Sequence, residues 1–193
     1  MNYLPARSAT RRLFAVAAAA VAAGTIATAA CAASSSPAAH AVPVIPVCNG
    51  STIGAWIAVS QGSEASGTTY YPLEFTNIGG HTCSLSGYPV VSAISRAGGR
   101  LGSPAGRGLL TVAPRVVLAP GATAHTTLAY HGRLVSTGGG CGPVVTASEL
   151  RVYLAGQQRA AYAAFGFQAC SHAGHVYLTI TEPIRAGVGT NKG

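Results

Sequence analysis

Apolar and polar residues alternate with a period of two along most of the chain beyond its first forty residues. In the stretch YYPLEFTN, for example, Leu73 and Phe75 fall on one side, and Glu74 and Thr76 fall on the other. A β-strand points successive side chains to opposite faces, so this alternation predicts half-buried strands. No segment beyond the first forty residues combines a sustained helical period with capping residues.

The alternation predicts an all-β domain. About eight strands are expected, near residues 56–59, 71–76, 88–94, 115–118, 124–130, 150–154, 161–167 and 176–180. Turn signals rich in Gly, Asn and Pro separate them, as at 77–80 and 119–121. Because each sheet has one apolar face to bury, we expect an antiparallel, immunoglobulin-like β-sandwich with Trp56 in its core.

The first forty residues follow a different pattern. Arg7, Arg11 and Arg12 precede an apolar run of mostly Ala and Val from Leu13 to about Ala30. This layout predicts that residues 1–31 form a helical signal peptide rather than part of the fold. The Arg-Arg pair also fits a twin-arginine export signal, and an ordinary secretory signal stays open as the alternative.

The end of the signal peptide can be placed in two ways. The sequence Thr28-Ala-Ala-Cys31 resembles a bacterial lipobox, although Thr replaces the usual Leu; Cys31 would then be lipidated and would begin the mature chain. Alternatively, cleavage after Ala39-His40-Ala41 would release a soluble protein. The remaining chain is predicted to consist of a flexible Ser/Pro/Ala tether at 32–47, the β-sandwich at 48–184 and a disordered tail at 185–193.

Four further cysteines predict two disulfides, because an exported chain folds in an oxidising compartment. Of the three possible pairings we favour Cys48–Cys83 and Cys141–Cys170, which join sequence neighbours. Each closes a loop of roughly thirty residues, which stabilises the fold by about 3–4 kcal/mol.

Metal ligation by these cysteines is the competing interpretation. The runs Cys170-Ser-His172-Ala-Gly-His175 and His81-Thr-Cys83 have the spacing of ligands. A thiolate ligand must stay reduced, which disfavours this interpretation outside the cytosol. We therefore expect no metal and no other cofactor, and a copper or zinc site built on His172 and His175 is kept as an alternative.

Composition narrows the possible functions. The net charge is +8, but the arginines are scattered rather than clustered, so a nucleic-acid partner is not expected. The chain contains no Asp and four Glu. A Ser-His-Asp triad is therefore excluded, and calcium sites or glycosidase carboxylate pairs are disfavoured. These features predict a protein without catalytic residues.

The sequence also carries a family resemblance. The segment FTNIGGHTCSLSGYPVV, followed by VVLAPGATAHTTLAY, resembles the domain of unknown function numbered four-two-three-two, found in secreted proteins and lipoproteins of actinobacteria. The matching residues are Asn77, Gly79, Cys83, Leu85, Gly87, Tyr88, Pro89, Leu118, Pro120, Gly121 and Ala124. The resemblance spans roughly Cys48 to Glu182, and it implies a β-sandwich, export and disulfides. It implies no activity.

The leading functional hypothesis is an exported envelope or secreted module that binds a partner. The loop at 95–108 carries Arg96, Arg100 and Arg107, which could contact an anionic glycan, a lipid headgroup or an envelope protein. Membrane contact is expected only through a lipid on Cys31. Two alternatives are a hydrolase that pairs a Ser with His125 or His131, and a His-based copper or zinc binding protein.

Overall fold

A computed structural model describes residues 44–108, 111–133 and 141–190 of the chain. The predicted signal peptide, Cys31 and the first part of the tether lie outside these residues. The described part is all-β, as predicted. No helix within it is long and apolar enough to cross a bilayer.

Thirteen strands form in the described residues, and each of the eight predicted segments overlaps one of them. In chain order they are β1 (Ile53–Ile57), β2 (Ser63–Ala65), β3 (Thr68–Asn77), β4 (Cys83–Leu85), β5 (Val90–Ile94), β6 (Arg100–Leu101), β7 (Gly106–Arg107), β8 (Val116–Leu118), β9 (Thr123–Tyr130), β10 (Val144–Tyr153), β11 (Ala161–Cys170), β12 (Leu178–Ile180) and β13 (Arg185–Ala186). The predicted segment at 56–59 overlaps least, because β1 ends at Ile57 and Val59 begins a short 3-10 helix, Val59–Gln61. The additional strands are only two or three residues long, too short to show a period in the sequence.

The strands form three sheets. The large sheet has the order β1-β3-β9-β12-β7, with β2 paired to β3 and β13 paired to β9. The small sheet has the order β11-β10-β5-β6, and β4 pairs with β8 alone. The ladders are antiparallel except for the parallel pair β7 and β12, so the expectation of a purely antiparallel sandwich is corrected at this edge.

The core is a single apolar cluster to which both larger sheets contribute. Leu73, Phe75 and Leu128 enter it from the large sheet, and Leu150 and Val152 enter it from the small sheet. All five are fully buried. Removing such apolar surface from water is the main favourable term in folding, so the two apolar faces hold the sheets together.

The two disulfides pair as the sequence predicts. Cys48 bonds to Cys83 and joins the chain before β1 to β4, while Cys141 bonds to Cys170 and joins the segment before β10 to the end of β11. The turn that the sequence predicts at 77–80, after β3, also forms. There the Asn77 side chain donates from Nδ2 to the carbonyls of His81 and Leu118.

The folded domain begins before Cys48, where a flexible tether was expected. Val47 forms a bridge with Ser84, and the Ser84 amide donates to the Pro46 carbonyl at 2.8 Å. Arg115 donates to the Ile45 carbonyl at 2.8 Å. These contacts bury Ser84, which the alternation alone places on the surface.

The first residues of the predicted disordered tail are paired with the large sheet. Strand β13 pairs with β9 through Arg185 and His125, and the Gly187 amide donates to the Thr123 carbonyl at 2.9 Å. The prediction of disorder is therefore wrong for residues 185–189. Backbone pairing is invisible to side-chain periodicity when the strand has two residues.

Trp56 is not part of the core. It alternates with Ala55 and Ile57 along β1 and points away from the small sheet, and 39% of its surface is exposed. The sequence analysis predicted Trp56 in the core, whereas its position in the strand pattern places it on the outer face.

Candidate functional site

A cleft opens where the edge strands of the two larger sheets meet. Strands β1 and β11 are each the last strand of their sheet, and they contact one another across the sandwich. Strand β1 ends at Ile57 and the chain turns at Val59, whereas β11 continues to Cys170. The cleft beside Val59 has a volume of about 630 Å³.

Four aromatic rings line this cleft, which we call the aromatic cleft. Tyr71 on β3 and Tyr130 on β9 come from the large sheet, and Phe165 and Phe167 come from β11. The ring centroids of Tyr71 and Phe165 are 5.1 Å apart, and those of Tyr130 and Phe167 are 5.3 Å apart, both edge to face. These contacts are the geometry that aromatic pairs prefer, so the rings form a preorganised surface.

Two tyrosines, one in the cleft and one behind it, have raised pKa values. Burial raises the pKa of Tyr130 above its ordinary value, and nearby Tyr71 adds to the shift. Behind the cleft, burial followed by the neighbouring Tyr130 raises the pKa of Tyr177 to about 12. Both groups stay protonated at physiological pH and act as neutral donors: Tyr130 donates to the Gln168 carbonyl at 2.9 Å, and Tyr177 donates to the Leu101 carbonyl at 3.0 Å.

The backbone of β11 is exposed along the cleft. The Ser171 amide donates to the Pro143 carbonyl at 3.1 Å, which makes these opposed residues a hydrogen-bonded pair. Opposed pairs in an antiparallel ladder alternate between bonded and non-bonded, so Gln168, opposite Thr146, is non-bonded. The amide and carbonyl of Gln168 therefore point away from β10. The hydrogen bond from Tyr130 to the Gln168 carbonyl supports this orientation, because Tyr130 lies in the other sheet.

A β-bulge adds to this exposure. Ala147 lies opposite Phe167 and Glu149 lies opposite Ala164, which leaves two residues of β11 facing the single residue Ser148. Such a bulge leaves the extra residue without a ladder partner. The bulge residues, Phe165 and Gly166, line the cleft.

The three predicted binding arginines lie elsewhere. Arg100 is on β6 and Arg107 is on β7, which are the last strands of the small and large sheets at the ends opposite β11 and β1. We call these two strands the arginine edge. Arg96 lies in the turn that precedes β6, and all three side chains are exposed. The structure places none of the three in the aromatic cleft.

The histidines predicted as possible bases are engaged in structural contacts. Both ring nitrogens of His131 contact threonine hydroxyls, with Nδ1 at 3.0 Å from Thr68 and Nε2 at 3.1 Å from Thr179. His125 donates from Nδ1 to the Gly187 carbonyl at 2.9 Å. Within the described residues no group of three His, Cys, Asp or Glu side chains is placed to hold a metal ion.

The most buried carboxylate in the described chain is Glu74, which the alternation predicts at the surface. It lies opposite Trp56 on one side and His125 on the other, on the outer face of the large sheet. The C-terminal segment crosses this face, and the Gly189 amide donates to Glu74 Oε1 at 3.1 Å. Glu74 is only 6% exposed as a result, and this contact is internal to the fold.

Sequence reasoning missed the aromatic cleft although it placed its residues in predicted strands. Phe165 and Phe167 are two apart, which marks them as one face of a strand. The convergence of this face with Tyr71 and Tyr130 depends on strand order, which no local pattern contains. The only local feature that could have suggested the cleft is the pair Phe165 and Phe167 in a long strand without a charged residue.

Together these features define an all-β domain with sandwich-like packing, two disulfides and an aromatic cleft at one edge. The family described as a domain of unknown function, DUF4232, matches residues 48–182. The chain belongs to this family. No curated protein and no solved structure matches the chain.

Proposed function

We propose that this protein is an exported, non-catalytic binding module of the cell envelope or secreted fraction, and that it holds an apolar group of its partner in the aromatic cleft. The carrying observation is the set of four aromatic rings at the edge of the sandwich, where burial of apolar surface would supply affinity. Because the cleft is lined mainly by aromatic and small apolar residues, we expect it to bind an uncharged apolar or aromatic group of the partner.

Export is supported by two independent features. The first 31 residues have the layout of a signal peptide. The described domain contains two disulfides, and structural disulfides persist in oxidising compartments rather than in the cytosol. The lipobox-like sequence Thr28–Cys31 favours attachment of the mature protein to the membrane through a lipid on Cys31.

A binding role is supported over catalysis by how the reactive side chains are used. His131 contacts two threonines, His125 contacts a backbone carbonyl, and Glu74 accepts from a backbone amide. Glu182 accepts from Thr127 and from Arg185. These contacts hold strands together, and none of them pairs a histidine with a serine hydroxyl.

Small aromatic probes test the cleft directly. Indole and p-cresol, added to the oxidised protein, are expected to shift the amide resonances of residues 164–168 and of Val59 in two-dimensional NMR spectra. Val59→Glu places a charge at the rim and should abolish these shifts. Val117→Glu, at a similarly exposed valine on β8, is the matched control and should leave them unchanged.

Absence of shifts at saturating probe, or shifts confined to residues outside the cleft, would contradict the proposed binding role. Equal amide shifts in Val59→Glu and Val117→Glu would also contradict it, because a charge at the rim of the cleft would then have no effect on probe binding.

A further inference from the structure

The aromatic cleft offers hydrogen-bonding groups as well as apolar surface. The amide and carbonyl of Gln168 point away from β10, as derived above from the ladder register. The Gln168 carbonyl already accepts from Tyr130, and a carbonyl has a second lone pair available. A ligand that lies along β11 therefore meets backbone groups at the same place as the aromatic rings.

The small side chains of β11 leave this edge accessible. Ala164 and Gly166 are exposed and line the cleft, and a Cβ built on Gly166 would have no atom within 4 Å. A bound chain could approach the backbone here without displacing a side chain.

The contrast with the arginine edge shows that this exposure is unusual for the molecule. Strands β6 and β7 have two residues each, and each carries an arginine. Short length and charge are two of the devices that keep sheet edges from pairing with other chains. Strand β11 has ten residues, AYAAFGFQAC, without a charge or a proline.

We infer that the partner of the aromatic cleft is an extended polypeptide segment, which pairs its backbone with the edge of β11 around Gly166–Gln168 and inserts one large apolar side chain among the rings. No strand of the described residues pairs with this edge. The inference rests on the proposed binding function and specifies its ligand class. An added strand supplies the alternating amides and carbonyls that the edge lacks, and its inward side chains fall on the aromatic side.

Selection from a phage-displayed library of short random peptides, against the oxidised protein, is the first step of the test. We expect enriched sequences to share an aromatic or large aliphatic residue flanked by residues of high strand propensity. Failure to enrich any sequence over a parallel selection on Val59→Glu would overturn the inference.

Variants at Gly166 then test the edge. Gly166→Arg adds a charged side chain where the structure has room for it, and it should weaken a selected peptide at least about tenfold, the effect of losing one or two net hydrogen bonds. Gly80→Arg is the matched control, because Gly80 lies outside the cleft and a Cβ built on it also has no atom within 4 Å. This variant should bind within about threefold of the unmodified protein, since a tenfold change already corresponds to about 1.4 kcal/mol.

Backbone methylation of the selected peptide distinguishes strand pairing from side-chain insertion alone. Amides that pair with β11 alternate along the peptide, so N-methylation at every second residue should abolish binding and methylation between them should be tolerated. Sensitivity without this alternation would overturn the inference, even if indole and p-cresol still bind, and the proposed binding role would then survive on its own.

A second copy of the chain is the competing occupant of the edge. Analytical ultracentrifugation of the unmodified protein and of Gly166→Arg shows whether the chain pairs with a second copy of itself. A dimer that Gly166→Arg dissociates would assign β11 to self-association and overturn the peptide inference, whereas a monomer in both samples supports it.

Discussion

The two lateral edges of the sandwich are built in opposite ways. At the aromatic cleft, a long uncharged strand, β11, borders four rings, and the Gln168 amide and carbonyl point away from β10. At the arginine edge, β6 and β7 are two residues long and carry Arg100 and Arg107. Both edges end a sheet and face the same problem of unpaired backbone. The difference indicates that the arginine edge is protected from pairing with another chain, whereas the edge of β11 at the aromatic cleft is accessible to one.

The largest effect is expected from removing the disulfide at the cleft. Cys141→Ala with Cys170→Ala should lower the free energy of unfolding by about 3–4 kcal/mol, because the bond closes a loop whose ends are 29 residues apart. It should also weaken ligand binding, since Cys170 ends β11. Denaturant unfolding and probe titration measure the two effects.

The other disulfide is the control for this prediction. Cys48→Ala with Cys83→Ala should cost a similar free energy, given a separation of 35 residues, but should leave the affinity of the cleft unchanged. If both pairs reduced binding equally, the cleft would depend on overall stability rather than on the anchoring of β11.

The next largest effect is expected at the ring that joins both walls of the cleft. Phe165 is nearly buried and contacts Tyr71 and Phe167, so Phe165→Ala should lower the free energy of unfolding by about 3 kcal/mol. Thermal or urea unfolding checks this value. A loss below about 0.5 kcal/mol would show that the ring is not packed as described, since surface substitutions have effects of that size.

Tyr177 connects the two edges and makes stability depend on alkaline pH. Its ring lies 6.4 Å from Phe167, and its hydroxyl donates to Leu101 on β6. Because burial raises its pKa from 10.0 to about 12 in the folded state, the neutral form stabilises the fold fully below pH 10. This contribution is lost as the pH rises from 10 to 12.

The expected signature is a fall in the denaturant midpoint between pH 10 and 12 that is smaller in Tyr177→Phe. The variant should start about 1 kcal/mol less stable at neutral pH, because the Leu101 carbonyl loses its donor. An identical fall in both proteins would assign the alkaline transition to other groups.

The smallest effect is expected at the arginine edge. Arg96, Arg100 and Arg107 are exposed, so changing all three to Ala should alter the free energy of unfolding by less than about 0.5 kcal/mol per residue. Peptide and aromatic-probe affinities should not change. A loss of binding in calorimetry would place the ligand site at this edge and reverse the comparison.

Side-chain periodicity predicted the elements that bury a full apolar face. Strands such as β3 and β10 were found because Leu73, Phe75, Leu150 and Val152 recur at every second position and pack in the core. The disulfide pairing was also predicted, because neighbouring cysteines could close short loops.

The features that sequence reasoning missed depend on contacts between distant segments. Glu74 is buried because Gly189 crosses it, and Ser84 is buried because Pro46 and Arg115 reach it. The aromatic cleft requires that β1 and β11 end their sheets on the same side. Such long-range placement follows from strand order, which a period of two does not encode.

Amide hydrogen exchange along β11 tests the central claim, that this edge is open, most directly. The ladder register directs the amides of Phe167 and Ala169 toward β10 and the amide of Gln168 toward the cleft. We expect Gln168 to exchange far faster than its two neighbours in the free protein, and to become protected when a selected peptide is bound. Equal protection of all three amides in the free protein would contradict the account, because the edge would then already be covered.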